Sequence, residues 1–172
     1  MIHSPAQLGA ARAHPSRKES NLYAHTQRSL PIAILFGAAG IATFVLTLAR
    51  KSASTAAGPR LTLLAAGVVL TISAVVFSSL TVRIEAGRLA WFFGPGIARK
   101  SVPLSAIAHT EITRTTALNG WGIHYTTRGW LYNVSGRRAV LVKLRDGSQF
   151  MLGSDEPETL ERAIAANQGA AS

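Results

Sequence analysis

The sequence predicts an α+β membrane protein, in which a two-helix transmembrane hairpin is followed by a seven-stranded β domain with a C-terminal capping helix. Three observations support this prediction. Two blocks, residues 30–49 and 61–80, contain no ionisable side chain. From Thr81 onward, apolar and polar residues alternate, which is typical of half-buried strands. The segment 155–168 has the capping residues and apolar spacing of a short helix.

Each apolar block is long enough to cross a bilayer, because about 20 residues at about 1.5 Å each span roughly 30 Å. Buried helices of soluble proteins are usually shorter and carry a polar stripe. A cleaved signal peptide is an alternative for the first block, since Ser52, Ala53 and Ser54 follow it closely. Its apolar run exceeds the roughly 7–15 residues of a signal peptide, so we predict two spans.

The remaining segments set the domain boundaries. Residues 1–29 have no apolar period and are predicted to be a disordered tail, while residues 169–172 form a second, short tail. The connector 50–60 is short, which predicts an antiparallel hairpin. Three glycines allow close approach of the two helices: Gly37, Gly40 and Gly67. The β domain is expected at residues 81–168.

Basic residues near the helix ends predict the orientation, because cytoplasmic flanks are enriched in Lys and Arg. The two outer flanks carry more of them than the connector, which has only Arg50, Lys51 and Arg60. The flanking residues are Arg12, Arg17, Lys18, Arg28, Arg83, Arg88, Arg99 and Lys100. We therefore predict a multi-pass protein of the cell (inner) membrane with both termini in the cytoplasm.

Seven strands are predicted from alternation and turn signals. They begin near Thr81–Glu85 and continue with Leu89–Phe93, Ile97–Val102, Ala108–Arg114, Trp130–Val134, Ala139–Leu144 and Ser148–Leu152. Asp146-Gly147 predicts a type I′ hairpin turn between the last two. The chain then enters a helix with Asp155 as its N-cap, and its apolar pair Leu160 and Ile164 should dock on the strands.

Local motifs in this region resemble the bacterial pleckstrin-homology-like (PH-like) domains of small two-helix membrane proteins. The motifs are Phe93-Gly94-Pro95-Gly96 with Arg99, Val102-Pro103-Leu104 with Ile107, Gly120-Trp121-Gly122-Ile123, Tyr132-Asn133-Val134 with Gly136, and Asp146-Gly147 with Gly153 and Pro157. The resemblance covers residues 81–166. It implies a partly open β-barrel of two bent sheets, plugged by the helix and used for docking without catalytic residues.

The charge pattern narrows the partners that we expect. Domains that grip phosphoinositides usually carry several basic residues in their first hairpin, whereas this turn has only Arg88. The net charge of +10 instead favours non-specific attraction to anionic lipid head groups. Nucleic acid is not expected as a partner, because no basic helix or aromatic-basic stripe occurs.

Six basic or aromatic residues are candidate ligand or membrane contacts. They are Trp91, Arg99, Lys100, Trp121, Arg137 and Arg138. Trp121 stands between two glycines, which suits either packing or ligand contact. Because Trp91, Phe92 and Phe93 are successive, alternation places Phe92 on the opposite face from its neighbours.

No metal, cofactor or catalytic site is predicted. His109 and Glu111 share a strand face, and His124 is a possible third ligand, but no recognised ligand spacing supports a metal site. The chain has no cysteine, and most carboxylates of the β domain lie in a turn or the terminal helix, so we do not expect an enzyme.

The function expected from these features is a membrane-anchored PH-like binding or scaffolding module that presents its β domain at the inner membrane surface. An unknown protein or a second copy of this chain would be the partner, beside the lipid bilayer itself. The alternative is a structural or regulatory subunit that engages another membrane protein through its transmembrane helices.

Overall fold

The computed structural model describes residues 23–49, 57–115 and 122–168. Predictions made for residues 1–22, 50–56 and 169–172, and for Gly120 and Trp121, lie outside these residues. The described elements are β1 (Tyr23–Arg28), α1 (Leu30–Ala49), α2 (Ala57–Val76), β2 (Ser79–Glu85), β3 (Arg88–Phe93), β4 (Ile97–Pro103), a 3₁₀ turn (Leu104–Ala106), β5 (Ile107–Arg114), β6 (Gly122–Thr126), β7 (Gly129–Asn133), β8 (Arg138–Leu144), β9 (Gln149–Gly153) and α3 (Pro157–Gln168).

The two long helices form an antiparallel hairpin, because the backbone N–H of Ser29 at the start of α1 donates to the carbonyl of Ser78 after α2 at 2.7 Å. The first helix has its predicted bounds. The second begins and ends four residues earlier than predicted, at Ala57 and Val76 instead of 61 and 80. Pro59 lies in its first turn, where proline is tolerated, and the residues after Val76 leave the helix to join a sheet.

Two of the three predicted glycines lie at the helix crossing. A Cβ atom on Gly40 would lie only 2.7 Å from Thr71 Oγ1 and 3.2 Å from the carbonyl oxygen of Gly67. Close approach at Gly40 and Gly67 is therefore confirmed. Gly37 has no atom within 4 Å of its would-be Cβ, so the prediction is wrong for this glycine.

Both helices are long and apolar enough to cross a membrane. Most of their large apolar side chains are uncovered; for example, Leu30 is 71% and Leu61 is 70% exposed. The buried core of a soluble protein would hide such side chains.

The first sheet has the order β1-β2-β3-β4, and all its pairs are antiparallel. Its first strand comes from the segment predicted to be disordered, so that prediction is wrong for Tyr23–Arg28. The strand was missed because its inward side chains include the polar His25 and Gln27, which give no apolar alternation. The sheet region therefore begins before the helices and resumes at Ser79, not at 81.

The second sheet has the order β5-β8-β9-β7-β6, in which β7 and β9 are parallel. Seven strands were predicted and the described residues contain nine, because β1 and β6 had been assigned to irregular segments. The described strands form two separate sheets, and no closed barrel is found among them.

The main core lies between the two sheets and extends under α3. Leu160 and Ile164 are fully buried in it, so the predicted docking of the terminal helix is confirmed. Phe93 also belongs to this core and contacts Phe77, just after α2, edge to face at 5.6 Å. The fold is thus α+β, with two apolar helices, two sheets and a C-terminal helix.

The predicted type I′ geometry occurs at a different turn. Ala86 and Gly87, between β2 and β3, both have positive φ, of 50° and 71°. In the β8–β9 turn only Gly147 does, with φ 85°. The predicted hairpin at Asp146-Gly147 is confirmed, because β8 and β9 pair antiparallel, but its predicted turn type is wrong. The Asp146 carboxylate instead accepts hydrogen bonds from the backbone N–H and the hydroxyl of Ser148. This local bond favours a different turn.

Candidate binding cleft between the sheets

The two sheets meet differently at their two margins. We call the margin formed by β1 and the start of α3 the closed side. Here the side-chain amide of Gln27 donates to the carbonyl oxygen and the hydroxyl of Ser135, both at 2.8 Å. His25 Nε2 lies 2.6 Å from a carboxylate oxygen of Asp155. These contacts join the first sheet to the second sheet and to the segment before α3.

Asp155 therefore has a different role from the predicted N-cap. The helix begins at Pro157, two residues later, and Asp155 pairs with His25. Beneath this pair, burial is the main cause that raises the pKa of Tyr23 to about 12, and the carboxylates of Glu156 and Asp155 add to it. The Tyr23 hydroxyl therefore stays uncharged at this margin.

The start of α3 is also tied to β8, because the guanidinium of Arg138 donates to the carboxylate of Glu158. The backbone N–H of Glu158 itself and then this guanidinium hold the pKa of the Glu158 carboxyl below its usual value. Arg138 was a candidate ligand contact. Its position instead indicates a role in fixing the helix.

The opposite margin, which we call the open side, contains an open cleft of about 430 Å³ between β3 and β4 on one wall and β7 and β9 on the other. This volume lies in the usual range for ligand sites. The cleft is lined by four aromatic side chains, four polar or charged ones and one valine: Trp91, Lys100, Ser101, Val102, Trp130, Tyr132, Ser148, Gln149 and Phe150.

Lys100 is the charged group of the cleft. Its Nζ lies 5.6 Å from the ring centre of Trp130 and 5.3 Å from that of Tyr132. Both distances are those of cation–π contacts. No carboxylate lies within 4 Å of this ammonium group among the described residues. The cleft therefore has an uncompensated positive charge on an aromatic wall.

Trp91 forms the floor of the cleft. It is the cross-strand neighbour of Lys100 and is stacked on Phe150, with ring centres 4.7 Å apart. Its side chain is 2% exposed, and its indole N–H is buried without a hydrogen-bond acceptor. A buried donor without an acceptor is rare in native proteins.

An exposed aromatic pair forms the rim. Tyr125 is 75% and Trp130 is 44% exposed, and their rings meet edge to face at 5.3 Å. Cross-strand pairing of β6 with β7 places them side by side. Large exposed aromatic side chains beside a cleft are typical of binding surfaces.

The candidate residues from the sequence are distributed over three places. Lys100 and Trp91 lie in the cleft, although Trp91 is buried and thus cannot contact a membrane surface. Arg99 lies on the outer face of the first sheet, 5.2 Å from the ring centre of Phe92. Phe92 faces outward, as alternation predicted. Arg137 is exposed in the β7–β8 loop. Trp121 lies outside the described residues.

Sequence reasoning missed seven of the nine lining residues, among them the aromatic Trp130, Tyr132 and Phe150. Alternation in the predicted strand 130–134 already placed Trp130 and Tyr132 on one face. Alternation does not determine the strand order β5-β8-β9-β7-β6. It therefore could not show which strand of the other sheet these two residues would face.

No group of three or more potential metal ligands occurs in the described part of the chain. His109 and Glu111 are both exposed on β5, and the Glu111 carboxylate lies 3.8 Å from the ammonium group of Lys143. The structure thus gives Glu111 a partner other than a metal.

Comparison with known proteins does not place the chain in a family. No family model, no curated protein and no solved structure matches it. The PH-like resemblance therefore stays a prediction that rests on the local motifs.

Proposed function

We propose that this protein is a membrane-anchored binding module, in which α1 and α2 span the bilayer and the PH-like β domain presents the cleft at the cytoplasmic membrane surface. The observation that carries the proposal is the open cleft itself. It combines aromatic walls, an ammonium group without a carboxylate partner and a buried indole N–H without an acceptor.

The uncovered apolar side chains of α1 and α2 support the membrane part of the proposal, because a bilayer would bury them. The sheet pairing agrees with two crossings. Since β1 precedes α1 and β2 follows α2, their pairing requires both ends of the hairpin on one side. Cleavage after α1 would separate β1 from the rest of the chain, which argues against a signal peptide.

Charge on the outer face of the first sheet supports a cytoplasmic orientation. The guanidinium groups of Arg83 and Arg99 lie over the Phe92 ring, at 5.3 Å and 5.2 Å from its centre. Neither guanidinium has a carboxylate within 4 Å among the described residues. The cytoplasmic leaflet is the more anionic one, and it attracts such groups by about 1 kcal/mol per charge near the surface.

The chemistry of the cleft favours a ligand that carries a carboxylate on a flat apolar group. Its ring would stack against the aromatic walls, while the carboxylate would accept from Lys100. An acidic side chain beside an aromatic one on a partner protein has the same chemistry as a small aromatic acid.

The test uses the full chain in lipid nanodiscs with 4-fluorobenzoate as the probe and fluorine NMR line broadening as the readout. We expect binding of 4-fluorobenzoate but not of 4-fluorobenzylamine, which has the same ring and the opposite charge. Lys100→Gln should abolish the broadening. Lys143→Gln, which removes the same charge outside the cleft, should retain it. Equal broadening by both probes, or equal loss in both variants, would contradict the cleft as the site.

Membrane insertion is tested separately by alkaline carbonate extraction and by reporter fusions after Ser172 and within residues 52–57. The protein should remain in the membrane pellet, and the two fusions should report opposite sides, with Ser172 cytoplasmic. Release into the supernatant would refute the membrane anchor whatever the cleft binds.

A further inference from the structure

A second cavity, of about 400 Å³, lies where β1 runs into α1 and α2 runs into β2. Its lining is polar at the end near the sheet and apolar at the end near the helices. Arg28, Ser29 and Ser79 line it at the sheet end, and Leu30 and Ala33 line it at the helix end. No acidic side chain is among its lining residues.

Ser29 has an unsatisfied group at this cavity. The residue is 1% exposed, and its hydroxyl is buried without a hydrogen-bond partner. Its backbone groups are both used, because the N–H donates to the Ser78 carbonyl and the carbonyl accepts from Ala33. The hydroxyl is therefore the one polar group of Ser29 that still lacks a partner.

Two further features make the cavity attractive to an anion. Ser29 immediately precedes α1, a 20-residue helix whose N-terminus carries a partial positive charge. Arg28 adds a full charge, and its guanidinium has no carboxylate within 4 Å among the described residues. Helix N-termini with a neighbouring cation and hydroxyls are recurrent phosphate sites.

We propose that this cavity binds the phosphate group of one phospholipid molecule. Arg28, the Ser29 hydroxyl and the Ser79 hydroxyl hold the phosphate, and an acyl chain runs along Leu30 and Ala33 into the bilayer. The proposal rests on the membrane-spanning role of α1 proposed above, because only then do the polar residues lie at head-group depth and the apolar ones at acyl depth. It adds a single defined site to the diffuse attraction expected from the net charge.

The lipid, not free phosphate, is the occupant that fits the whole cavity. Inorganic phosphate shares the head-group chemistry but leaves the surface of Leu30 and Ala33 uncovered. That surface is 71% exposed at Leu30.

The experiment measures phosphatidylglycerol bound to the full chain in detergent by native mass spectrometry. The variants are Arg28→Gln and Ser29→Ala, and Arg83→Gln is the matched control, since it removes an arginine from the same sheet but outside the cavity. We expect one retained lipid in the parent chain and in Arg83→Gln. Arg28→Gln should weaken binding by about tenfold or more, the effect of losing one hydrogen bond to a charged group. Ser29→Ala should weaken it less.

Three outcomes would overturn the proposal. Equal loss in Arg28→Gln and Arg83→Gln would mean diffuse attraction without a site. Displacement of the lipid by millimolar inorganic phosphate would make the free anion the ligand. No retained lipid in the parent chain would also refute the site. Each variant is extracted with carbonate in parallel and its thermal midpoint is measured. A chain that stays in the pellet but binds no lipid refutes this site alone, whereas release from the membrane refutes the anchor.

Discussion

The closed side and the open side join the same two sheets, but polar side chains bond across the junction on the closed side. The Tyr23 hydroxyl and the Gln27 side-chain oxygen are nevertheless buried there without a partner among the described residues. On the closed side, Gln27 and His25 reach Ser135 and Asp155. On the open side, Lys100 has no carboxylate partner among the described residues, and the buried indole N–H of Trp91 has no acceptor. The difference indicates that the closed side supplies stability, while the open side keeps donors for a ligand.

The closed side also couples the anchor to the domain. Its strand β1 belongs to the chain before α1, so the first sheet is completed across the helix hairpin. Where α2 leads into β2, Gly94 packs on the end of α2, and a Cβ atom on it would lie 2.7 Å from the carbonyl oxygen of Val75. The helices and the β domain are therefore in contact at both junctions, where β1 leads into α1 and where α2 leads into β2.

The largest effect is expected from removing the apolar contacts of α3 on the closed side. Leu160 and Ile164 are fully buried. Truncation of such a residue to alanine costs about 2–5 kcal/mol, and a small domain has about 5–15 kcal/mol in total. Leu160→Ala combined with Ile164→Ala should leave the β domain largely unfolded in nanodiscs, measured by near-ultraviolet circular dichroism and protease sensitivity.

Arg162 on the exposed face of α3 provides the control for this pair. Its guanidinium donates to the carbonyl oxygen of Glu158, at 3.2 Å, in its own helix. Arg162→Ala should change the free energy of unfolding by under about 0.5 kcal/mol. A double variant that unfolds at the same denaturant concentration as the parent would show that α3 does not hold the sheets together.

A smaller loss of stability is expected from Gln27→Ala. The amide is 3% exposed, and its loss leaves the Ser135 carbonyl and hydroxyl without this donor at the sheet junction. Unpaired buried polar groups cost about 1–3 kcal/mol. Urea unfolding of the full chain should show a shift of that size. Ala24→Ser, on the exposed face of the same strand, should show none, and equal shifts would mean that β1 acts through its backbone pairing alone.

The open side should tolerate substitutions that the closed side does not. Trp130 is 44% exposed and Lys100 has no ion pair among the described residues. Trp130→Ala should cost under about 1 kcal/mol, and Lys100→Gln under about 0.5 kcal/mol. Both should nevertheless abolish 4-fluorobenzoate binding. A loss of stability as large as that of Gln27→Ala would mean that the open side also holds the sheets together.

The sequence predicted those parts of the fold that depend on local patterns. The helix α1, the strands between Ser79 and Arg114 and the docking of Leu160 follow from runs, alternation and spacing along the chain. The strand β1 could not be found in this way, because its inward residues His25 and Gln27 are polar. Their partners, Asp155 and Ser135, lie more than 100 positions away in the sequence.

Only part of the cleft could be predicted, because its walls also depend on contacts between residues far apart in the sequence. Lys100 and Trp91 were candidates because of their residue types, but the wall formed by Trp130 and Phe150 requires β7 to pair in parallel with β9. Such a pairing is a non-local feature that the turn at Ser135-Gly136 does not reveal. Arg138 was a candidate from its residue type alone, which suits an ion pair with the helix as well as a ligand, and the structure shows its pair with Glu158.

The smallest expected effect is a change in the pKa values of two exposed carboxyl groups, one on the closed side and one on the open side. Glu158 on the closed side and Asp146 in the turn beside the cleft residue Ser148 both have lowered pKa values. The largest cause is the backbone N–H of Glu158 itself in the first case and the Ser148 hydroxyl in the second. Ser148→Ala should therefore raise the pKa of Asp146 clearly, while Arg138→Gln should raise that of Glu158 only in part.

Carbon-13 NMR titration of the side-chain carboxyls measures both pKa values in the full chain. A carboxyl with a lowered folded pKa stabilises the fold above its ordinary value, near 4.5 for Glu158, and loses this contribution as the pH falls through the lowered pKa. Both groups are fully exposed, so solvent screens their effect and the acid loss of stability should be slight. Because both pKa values are lowered, Glu158→Gln and Asp146→Asn should each reduce that acid loss slightly. No reduction in either variant would contradict the contribution of these two carboxyls to stability.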